Sequence, residues 1–423
     1  MAEMANTTVP ADLRRPQDGS AWAPLREPLF RSLWVAAVIS YTGTWMQNVG
    51  AGWLMTQLTL SPLMVSLVQV ASTLPVFLVI LPAGALADMV DRRRFLLITQ
   101  GWMVVAAGAL GGMSLMGFVT PWILLLFTFL LGLGAVMNDP AWQAITPEIV
   151  SAPQHASAVA LNSVGFNVAR AVGPALGGVV IALAGSGFAF LLNAASFFGV
   201  IFFLYRWKRP HYENVETGRV RDAILTGIRY VRGAPVVRCV LIRTAAFSLG
   251  ASALLALLPI VARPYGASGY GLLLGSFGLG ALAGAAVLPR LRSRLSVDGV
   301  VAFAIVVFAG MTFAAGEVQS FGWLSLVLFA SGTAWIGILA CLNVAAQTMS
   351  PSFLRARALS MYLLVLQGGM AVGSALWGAV ATRVGVPSAL LWSAVALAAG
   401  LVAVRRYRLT SQELELTPAI VRD

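Results

Sequence analysis

The chain has 423 residues, of which 59% are hydrophobic and 10% are charged, and its formal net charge is +12. Soluble domains average about 45–50% apolar and about 25% charged residues, so this composition excludes a water-soluble fold. The positive charge does not indicate nucleic-acid binding, because the arginines lie at the ends of long apolar segments, where they set the orientation of membrane helices.

Apolar segments of membrane-spanning length recur along the whole chain. A helix crosses a hydrocarbon core of ~30 Å with about 20 residues. Segments of that length predict spans at residues 31–57, 63–89, 95–118, 122–149, 156–184, 188–207, 236–262, 269–288, 297–315, 321–349, 358–384 and 388–404. The sequence therefore predicts an all-α membrane protein with twelve transmembrane helices.

The polar segments divide the predicted protein into two halves. We expect six-helix bundles at residues 31–207 and 236–405, with cytoplasmic tails at 1–30 and 406–423. In the connecting segment 208–235, arginines alternate with apolar residues, which favours an amphipathic helix on the surface of the lipid bilayer. A flexible linker with scattered charge is the alternative.

Charge in the loops predicts the orientation of the chain. Arginines cluster in alternate loops, as at residues 92–94 and 290–294, whereas the opposite loops are short and nearly uncharged. By the positive-inside rule, the basic loops and both termini are cytoplasmic. We therefore expect a multi-pass protein of a bacterial inner membrane, present as a monomer.

Two parts of the sequence repeat at an offset of 200 residues. Gly84 and Gly284 are each followed by arginines at similar distances, and the glycine-containing run 173–178 matches the run 373–378. An internal duplication of six helices is typical of transporters whose binding site lies between two halves.

Residues 84–94, at the predicted cytoplasmic end of the second span, resemble the loop motif of the major facilitator superfamily. The positions that match the motif are Gly84, Asp88, Arg92 and Arg93. Met89 and Asp91 depart from it, where the family has an arginine and a glycine. The resemblance implies a transporter made of two six-helix bundles.

A finer resemblance is to the branch of enterobactin-exporter-like and macrolide-efflux-like proteins. It rests on residues 30–34, 139–143 and 167–178. The last of these runs is also similar to a motif of antiporters, which implies export rather than import. The motif residues in it are Gly173, Pro174, Gly177 and Gly178.

The resemblance also implies a charged lock at the cytoplasmic side. In the family, the motif aspartate faces the N-terminus of the eleventh span, which here places Asp88 near Arg357. Asp139 is similar in place to the acidic partner of the motif arginine Arg92. We therefore expect an Asp88–Arg92–Asp139 network that stabilises the outward-facing state. The alternative is that these charges only set topology.

Arg170 is the strongest candidate for a substrate contact. An arginine at the centre of a bilayer costs about 2.5–3.5 kcal/mol, so its side chain is expected to face a water-filled cavity. The alternative is a structural arginine held by backbone carbonyls. Three faces at helical spacing are expected to line the cavity: Ser163, Asn167 and Arg170; Tyr41, Trp45 and Asn48; and Gln367 and Met370. For the face with Tyr41, ordinary helix packing is an equal alternative.

These observations predict a secondary transporter that exports a small amphipathic compound, drug-like or siderophore-like, by alternating access and without a cofactor or metal. Protons are the candidate coupling ion, although no Asp or Glu lies deep in any predicted span, and the nearest carboxylate, Asp139, is already assigned to the lock. An uptake permease for an anionic metabolite is the alternative. A membrane enzyme is disfavoured because no catalytic constellation is present, and Cys239 and Cys341 lack metal-ligand spacing.

Overall fold

The computed structural model describes residues 21–207, 235–348, 355–404 and 407, without the side chains of residues 81–89, 235, 236 and 356. The predicted amphipathic linker at 208–235 lies outside this description, apart from its last residue, as do most of both tails. The described residues are helical almost throughout, which confirms the expected all-α class.

Long helices follow one another with short connections, and we number them in chain order. A continuous helical segment, His155–Arg206, is divided by a kink at Gly185 into α5 (155–184) and α6 (186–206). The other helices are α1 (Pro28–Leu58), α2 (Pro62–Met89), α3 (Arg92–Leu115), α4 (Pro121–Ile149), α7 (Pro235–Val261), α8 (Gly266–Arg292), α9 (Val297–Glu317), α10 (Phe321–Thr348), α11 (Arg355–Val384) and α12 (Val386–Ala403).

Local sequence explains where several helices begin. The side chain of Thr120 accepts a hydrogen bond from the backbone N–H of Ile123, and Pro121 occupies the first turn of α4. Ser296 caps α9 in the same way through the N–H of Gly299, at 3.1 Å. Such side chains satisfy the backbone donors that a helix N-terminus leaves unpaired.

One glycine at a positive φ joins two helices in each half of the chain. Gly185 (φ 83°, ψ 167°) lies between α5 and α6, and Gly385 (φ 86°, ψ 160°) lies between α11 and α12. This region of backbone space is open to glycine and essentially closed to other residues. The two junctions are 200 residues apart, so they follow the repeat seen in the sequence.

Ten helical segments of the described chain are long and apolar enough to cross a membrane. One of these ten, residues 152–206, has 55 residues, whereas a single span needs about 20. The segment therefore has sufficient length for two spans, which agrees with its division at Gly185.

Helix contacts repeat with a shift of six helices. α1 packs on α5 as α7 packs on α11, and α2 packs on α4 as α8 packs on α10. The halves meet mainly through α2 with α11 and α5 with α8, and to a lesser extent through α2 with α7 and α1 with α7 and α8. The four helices of the two main contacts therefore border the space between the halves.

The halves meet closely at the end of the molecule where α1 connects to α2 and α7 connects to α8, which we call the closed end. A Cβ atom added at Gly271 would lie 2.4 Å from the carbonyl oxygen of Pro174 and 2.7 Å from the Cα of Gly178. Arg263, after α7, donates to the carbonyl oxygens of Thr56 and Thr59 at 3.1 and 2.9 Å. Both contacts link one half to the other.

Helices α5 and α8 separate toward the opposite end of the molecule, which we call the open end. Ala171 on α5 lies against Gly278 on α8, and one or two turns further along the same faces are Val164 and Leu282. These two side chains are 49% and 37% exposed. The close contact between α5 and α8 therefore does not extend to the open end.

Candidate functional site

A cavity of about 310 Å³ lies between the two halves. Its walls come from α1, α2, α5, α7, α8, α10 and α11. It brings together the predicted residues Trp45, Asn48, Arg170, Pro174, Gln367 and Met370. Side chains of α1, α5 and α11, which are far apart in sequence, therefore line one cavity.

Arg170 lies near the middle of α5, and its side chain is half-buried at the cavity wall. Its guanidinium carbon lies 5.9 Å from the centre of the Trp45 ring, within the range of a cation–π contact. Within the described chain, the guanidinium makes no hydrogen bond or ion pair. Its donors are therefore available to a molecule in the cavity.

A close approach of α1 and α5 fixes the position of Trp45. A Cβ atom added at Gly173 would lie 2.6 Å from the Cβ of Trp45, and one added at Gly177 would lie 2.8 Å from the Cα of Met46. Only glycine permits this separation of the two helices. The two motif glycines thus hold α1 against α5 beside Arg170, while Gly178 faces α8.

Aromatic residues of the second half complete the cavity, and no sequence pattern had indicated them. Tyr270 and Phe277 on α8 and Trp335 on α10 line the cavity, and Tyr270 stacks on Trp53 at 6.5 Å. Polar groups come from α2, through Gln69, Ser72 and Thr73. The cavity therefore combines apolar bulk with a few hydrogen-bonding groups and one cation, as amphipathic ligands require.

Three of the predicted residues lie elsewhere. Asn167 donates to the carbonyl oxygen of Ser163 at 2.8 Å, and Ser163 donates to that of Val159 at 3.1 Å, so both are engaged with their own helix. Tyr41 lines a separate pocket of about 130 Å³ inside the first half, together with Asp139.

The predicted pairing of Arg92 with Asp139 is not formed, and Arg92 instead donates to Glu148 at 2.9 Å and to the carbonyl oxygen of Ala144 at 3.3 Å. The reason is distance along α4. Glu148 lies in the last turn, level with the start of α3, whereas Asp139 is nine residues or ~13.5 Å further into the bundle. Sequence reasoning missed Glu148, although its place at the helix end could have indicated it.

Arg93, which the motif also placed at the gate, binds the end of a neighbouring helix. It donates to the carbonyl oxygens of Leu204 and Tyr205 at 2.8 and 2.6 Å. A cation at the last carbonyls of a helix is favourable because of the helix dipole. The side chain of Asp88, and with it the expected contact near Arg357, is not described, and Gly84 lies in the last turns of α2.

No three His, Cys, Asp or Glu side chains come together as a metal site in the part of the chain that the structure describes.

Comparison with known families gives one match over nearly the whole chain. Residues 19–420 match the family described as transmembrane secretion effector. The enterobactin exporter EntS of Escherichia coli O1:K1 / APEC is 26% identical over 410 residues, which are 92% of this chain and 95% of that protein.

Two further relatives match over shorter regions. The multidrug efflux pump Tap of Mycolicibacterium fortuitum is 29% identical over 225 residues, 50% of this chain and 54% of Tap. The staphyloferrin A transporter of Staphylococcus aureus (strain NCTC 8325 / PS 47) is 25% identical over 164 residues, 38% and 41% of the two chains. The chain thus spans less than two thirds of either of these proteins.

Solved structures share the fold. The nucleoside transporter NupG superposes with a TM-score of 0.69 at 14% identity, covering 90% of this chain and 98% of that one. A bacterial homolog to the human lysosomal transporter Spinster, in an inward-facing and occupied conformation, gives a TM-score of 0.71 at 14% identity, covering 94% and 99%. At these identities the likeness concerns the fold alone.

Proposed function

Because this chain belongs to the transmembrane secretion effector family of the major facilitator superfamily, we propose that it is a secondary transporter that exports a small amphipathic compound. The compound carries an anionic or hydrogen-bond-accepting group and is drug-like or siderophore-like. The observation that carries this proposal is the guanidinium of Arg170, which has no hydrogen-bond or ion-pair partner among the described residues, in a largely apolar cavity between the halves.

The charge of the cavity supports the choice of ligand. A free guanidinium binds carboxylate or catecholate oxygens through two parallel hydrogen bonds, and such charge-assisted bonds contribute about 1.5–3 kcal/mol each. The surrounding rings of Trp45, Tyr270 and Trp335 offer apolar surface to the rest of the molecule. The names of the relatives, two siderophore transporters and one multidrug pump, fit a compound with both properties.

The topology we propose has twelve spans in two six-helix bundles, with α1–α6 in the first and α7–α12 in the second. The connections at the open end carry Arg92, Arg93, Arg290 and Arg292. By the positive-inside rule this end faces the cytoplasm of a bacterial cell, and so do both termini. The arrangement then corresponds to an inward-facing state that accepts its ligand from the cytoplasm.

Export requires the closed end to open while the cytoplasmic end closes. We propose that the α5–α8 and α2–α11 contacts exchange between the two ends as the bundles rock, and that entry of protons drives the cycle. Transporters of this general type have a cavity between two repeats, which the substrate reaches from each side of the membrane in turn.

Transport in membrane vesicles tests the proposal. Everted vesicles that contain the protein should accumulate labelled enterobactin or staphyloferrin A, whereas right-side-out vesicles should lose it faster than vesicles without the protein. Arg170→Ala should reduce the rate at least tenfold and Arg170→Lys less, because lysine keeps the charge but not the bidentate geometry.

Arg383→Ala is the matched control, since that arginine is exposed at the end of α11, away from the cavity. Accumulation in right-side-out vesicles would instead establish uptake, as expected of a permease for an anionic metabolite. Wild-type rates in the Arg170→Ala variant would show that the guanidinium does not bind the transported compound.

A further inference from the structure

A second pocket, of about 130 Å³, lies within the first half among α1, α3, α4, α5 and α6. Its one formally charged group is Asp139, which is exposed to the pocket and has no hydrogen-bond or ion-pair partner among the described residues. Tyr41 on α1 is the other titratable group that lines it. The residues that face it from the remaining helices are uncharged: Gln100 and Met103 from α3, Phe166 from α5, and Phe197 and Val200 from α6.

Two buried polar atoms in the wall of this pocket likewise have no hydrogen-bond partner in the described part of the chain. Gln100 is 3% exposed, and its Nε2 donates to Asn138 at 3.0 Å, but its Oε1 accepts nothing. The Nε1 of Trp142, a residue that is 8% exposed, is unpaired as well. Leaving a buried polar atom unsatisfied costs about 1–3 kcal/mol, so the pocket requires a polar occupant. At ~30 Å³ per molecule, its volume holds about four waters.

Three aromatic rings separate this pocket from the central cavity. The ring of Phe166 lies edge-on to Tyr41 at 5.5 Å and to Trp45 at 6.3 Å. Trp45 in turn contacts Arg170, with 5.9 Å between its ring centre and the guanidinium carbon. The carboxylate and the guanidinium therefore occupy different compartments that are joined by rings in mutual contact.

The two compartments suit ligands of opposite charge. Arg170 is a fixed positive charge in the central cavity, so a small cation is repelled there and an anionic group is attracted. Asp139 offers the reverse, together with the acceptor oxygen of Gln100 and the hydroxyl of Thr44. Oxygen groups of this kind bind hydronium or a hard monovalent cation.

We propose that the pocket around Asp139 is the binding site of the coupling cation, a proton or Na⁺, and that Phe166 transmits its occupancy to Arg170. Binding of the cation neutralises the carboxylate, which weakens its attraction for the polar groups of the pocket, among them the Tyr41 hydroxyl. Phe166 follows Tyr41, and Trp45 then shifts beneath the guanidinium. The inference rests on the proposed export function for its role in coupling, but the cation site itself is independent of any exported compound.

The test of the cation site therefore uses no exported compound, and only the later test of the Phe166 connection adds one. Spin labels at Val159→Cys and Val287→Cys, exposed positions near the open ends of α5 and α8, report the separation of the halves in a background with Cys239 and Cys341 replaced by alanine. The separation is measured by double electron–electron resonance across a pH series without Na⁺, and then across a Na⁺ series at constant pH. A response to pH alone identifies the cation as a proton, and a response to Na⁺ identifies it as Na⁺.

We expect Asp139→Asn to abolish the response, Asp139→Glu to retain it with a shifted midpoint, and Arg383→Ala to retain it, since that residue is exposed at the end of α11, away from both compartments. Phe166→Ala should keep cation binding but lose the coupling between the Asp139 pocket and the central cavity at Arg170. In the Phe166→Ala variant, the change in spin-label separation that enterobactin causes should be the same with and without the cation. In the Phe166→Tyr variant, that change should still depend on the cation, as in wild type.

A wild-type protein that responds to neither cation would overturn the cation site, and so would an Asp139→Asn variant with the wild-type response. A vesicle assay without transport, combined with an intact response that depends on Asp139, would refute the export function and leave the site standing. Retained coupling in Phe166→Ala would refute only the aromatic connection.

Discussion

Arg170 lies over the ring of Trp45, with 5.9 Å between the guanidinium carbon and the ring centre. The contact holds a mobile side chain at the cavity wall without consuming its hydrogen-bond donors. Since a cation–π contact contributes about 0.5–2 kcal/mol, Trp45→Leu should weaken binding of an anionic amphipathic ligand roughly 2- to 30-fold. Trp45→Phe should lose less. Titration calorimetry of the detergent-purified protein with enterobactin measures this, and equal affinities of the Leu variant and wild type would contradict it.

The glycine contact at the closed end should control access from that side. In Gly271→Ala, the new methyl group meets the carbonyl oxygen of Pro174 at 2.4 Å, so α5 and α8 must move apart. Overpacking costs about 1–3 kcal/mol, which shifts the equilibrium between the two states roughly 5- to 150-fold toward opening at this end. A cysteine introduced in the cavity at Ser72 should then react with an impermeant maleimide added from the closed side.

The control for this experiment is Gly322→Ala on α10, because a methyl group there meets nothing within 4 Å. It should leave the labelling pattern as in wild type. Labelling of the Gly271→Ala variant from the open side only would show that the α5–α8 contact is not the barrier.

Glu148 and Asp139 should differ in their effect on stability. Glu148 is 5% exposed and forms an ion pair with Arg92, so Glu148→Gln should lower the free energy of unfolding by about 1.5–3 kcal/mol. Asp139 has no partner within the described chain, and Asp139→Asn should leave the melting temperature in detergent unchanged or raise it slightly. A larger loss for Asp139→Asn than for Glu148→Gln would favour the network first expected from the motif.

The junction between α5 and α6 should require glycine for its backbone alone. Nothing lies within 4 Å of a Cβ atom added at Gly185, so a side chain there would cause no clash. Its only cost would be the backbone strain of a φ of 83°. Gly185→Ala should therefore cost about 1–3 kcal/mol. Gly101→Ala on α3, equally unobstructed, should be neutral or stabilising because alanine favours a helix. Thermal unfolding of the two variants provides the comparison.

The helices and the main cavity residues could be predicted from the sequence because they depend on local physics. Long apolar segments set the helices, and a proline and a capping side chain mark the start of α4 within one residue of the expected span. Arg170 was assigned to a cavity because lipid would not tolerate it. The spacing on α1 and α11 then selected Trp45, Asn48, Gln367 and Met370, which line the same cavity.

The remaining features of the site depend on how the helices pack against each other, and no local sequence pattern predicts that packing. Tyr270 and Trp335 are aromatic residues in apolar helices, and only the packing of the second half turns them toward the cavity. The partner of Arg92 depended on the depth of two carboxylates along α4. Likewise, Arg243 forms a partly buried ion pair with Asp298 that joins α7 to the first turn of α9, although the two residues are 55 positions apart in sequence.

The single-residue junctions at Gly185 and Gly385 limit how each half can move. A connection of one residue has no slack, so neither helix of such a pair can slide along the other while the turn holds. The α5–α6 and α11–α12 pairs must therefore tilt as rigid V-shaped units. Each unit includes one helix that borders the central space, so a change at the cavity wall reaches the outer surface of the bundle as a swing of the whole pair.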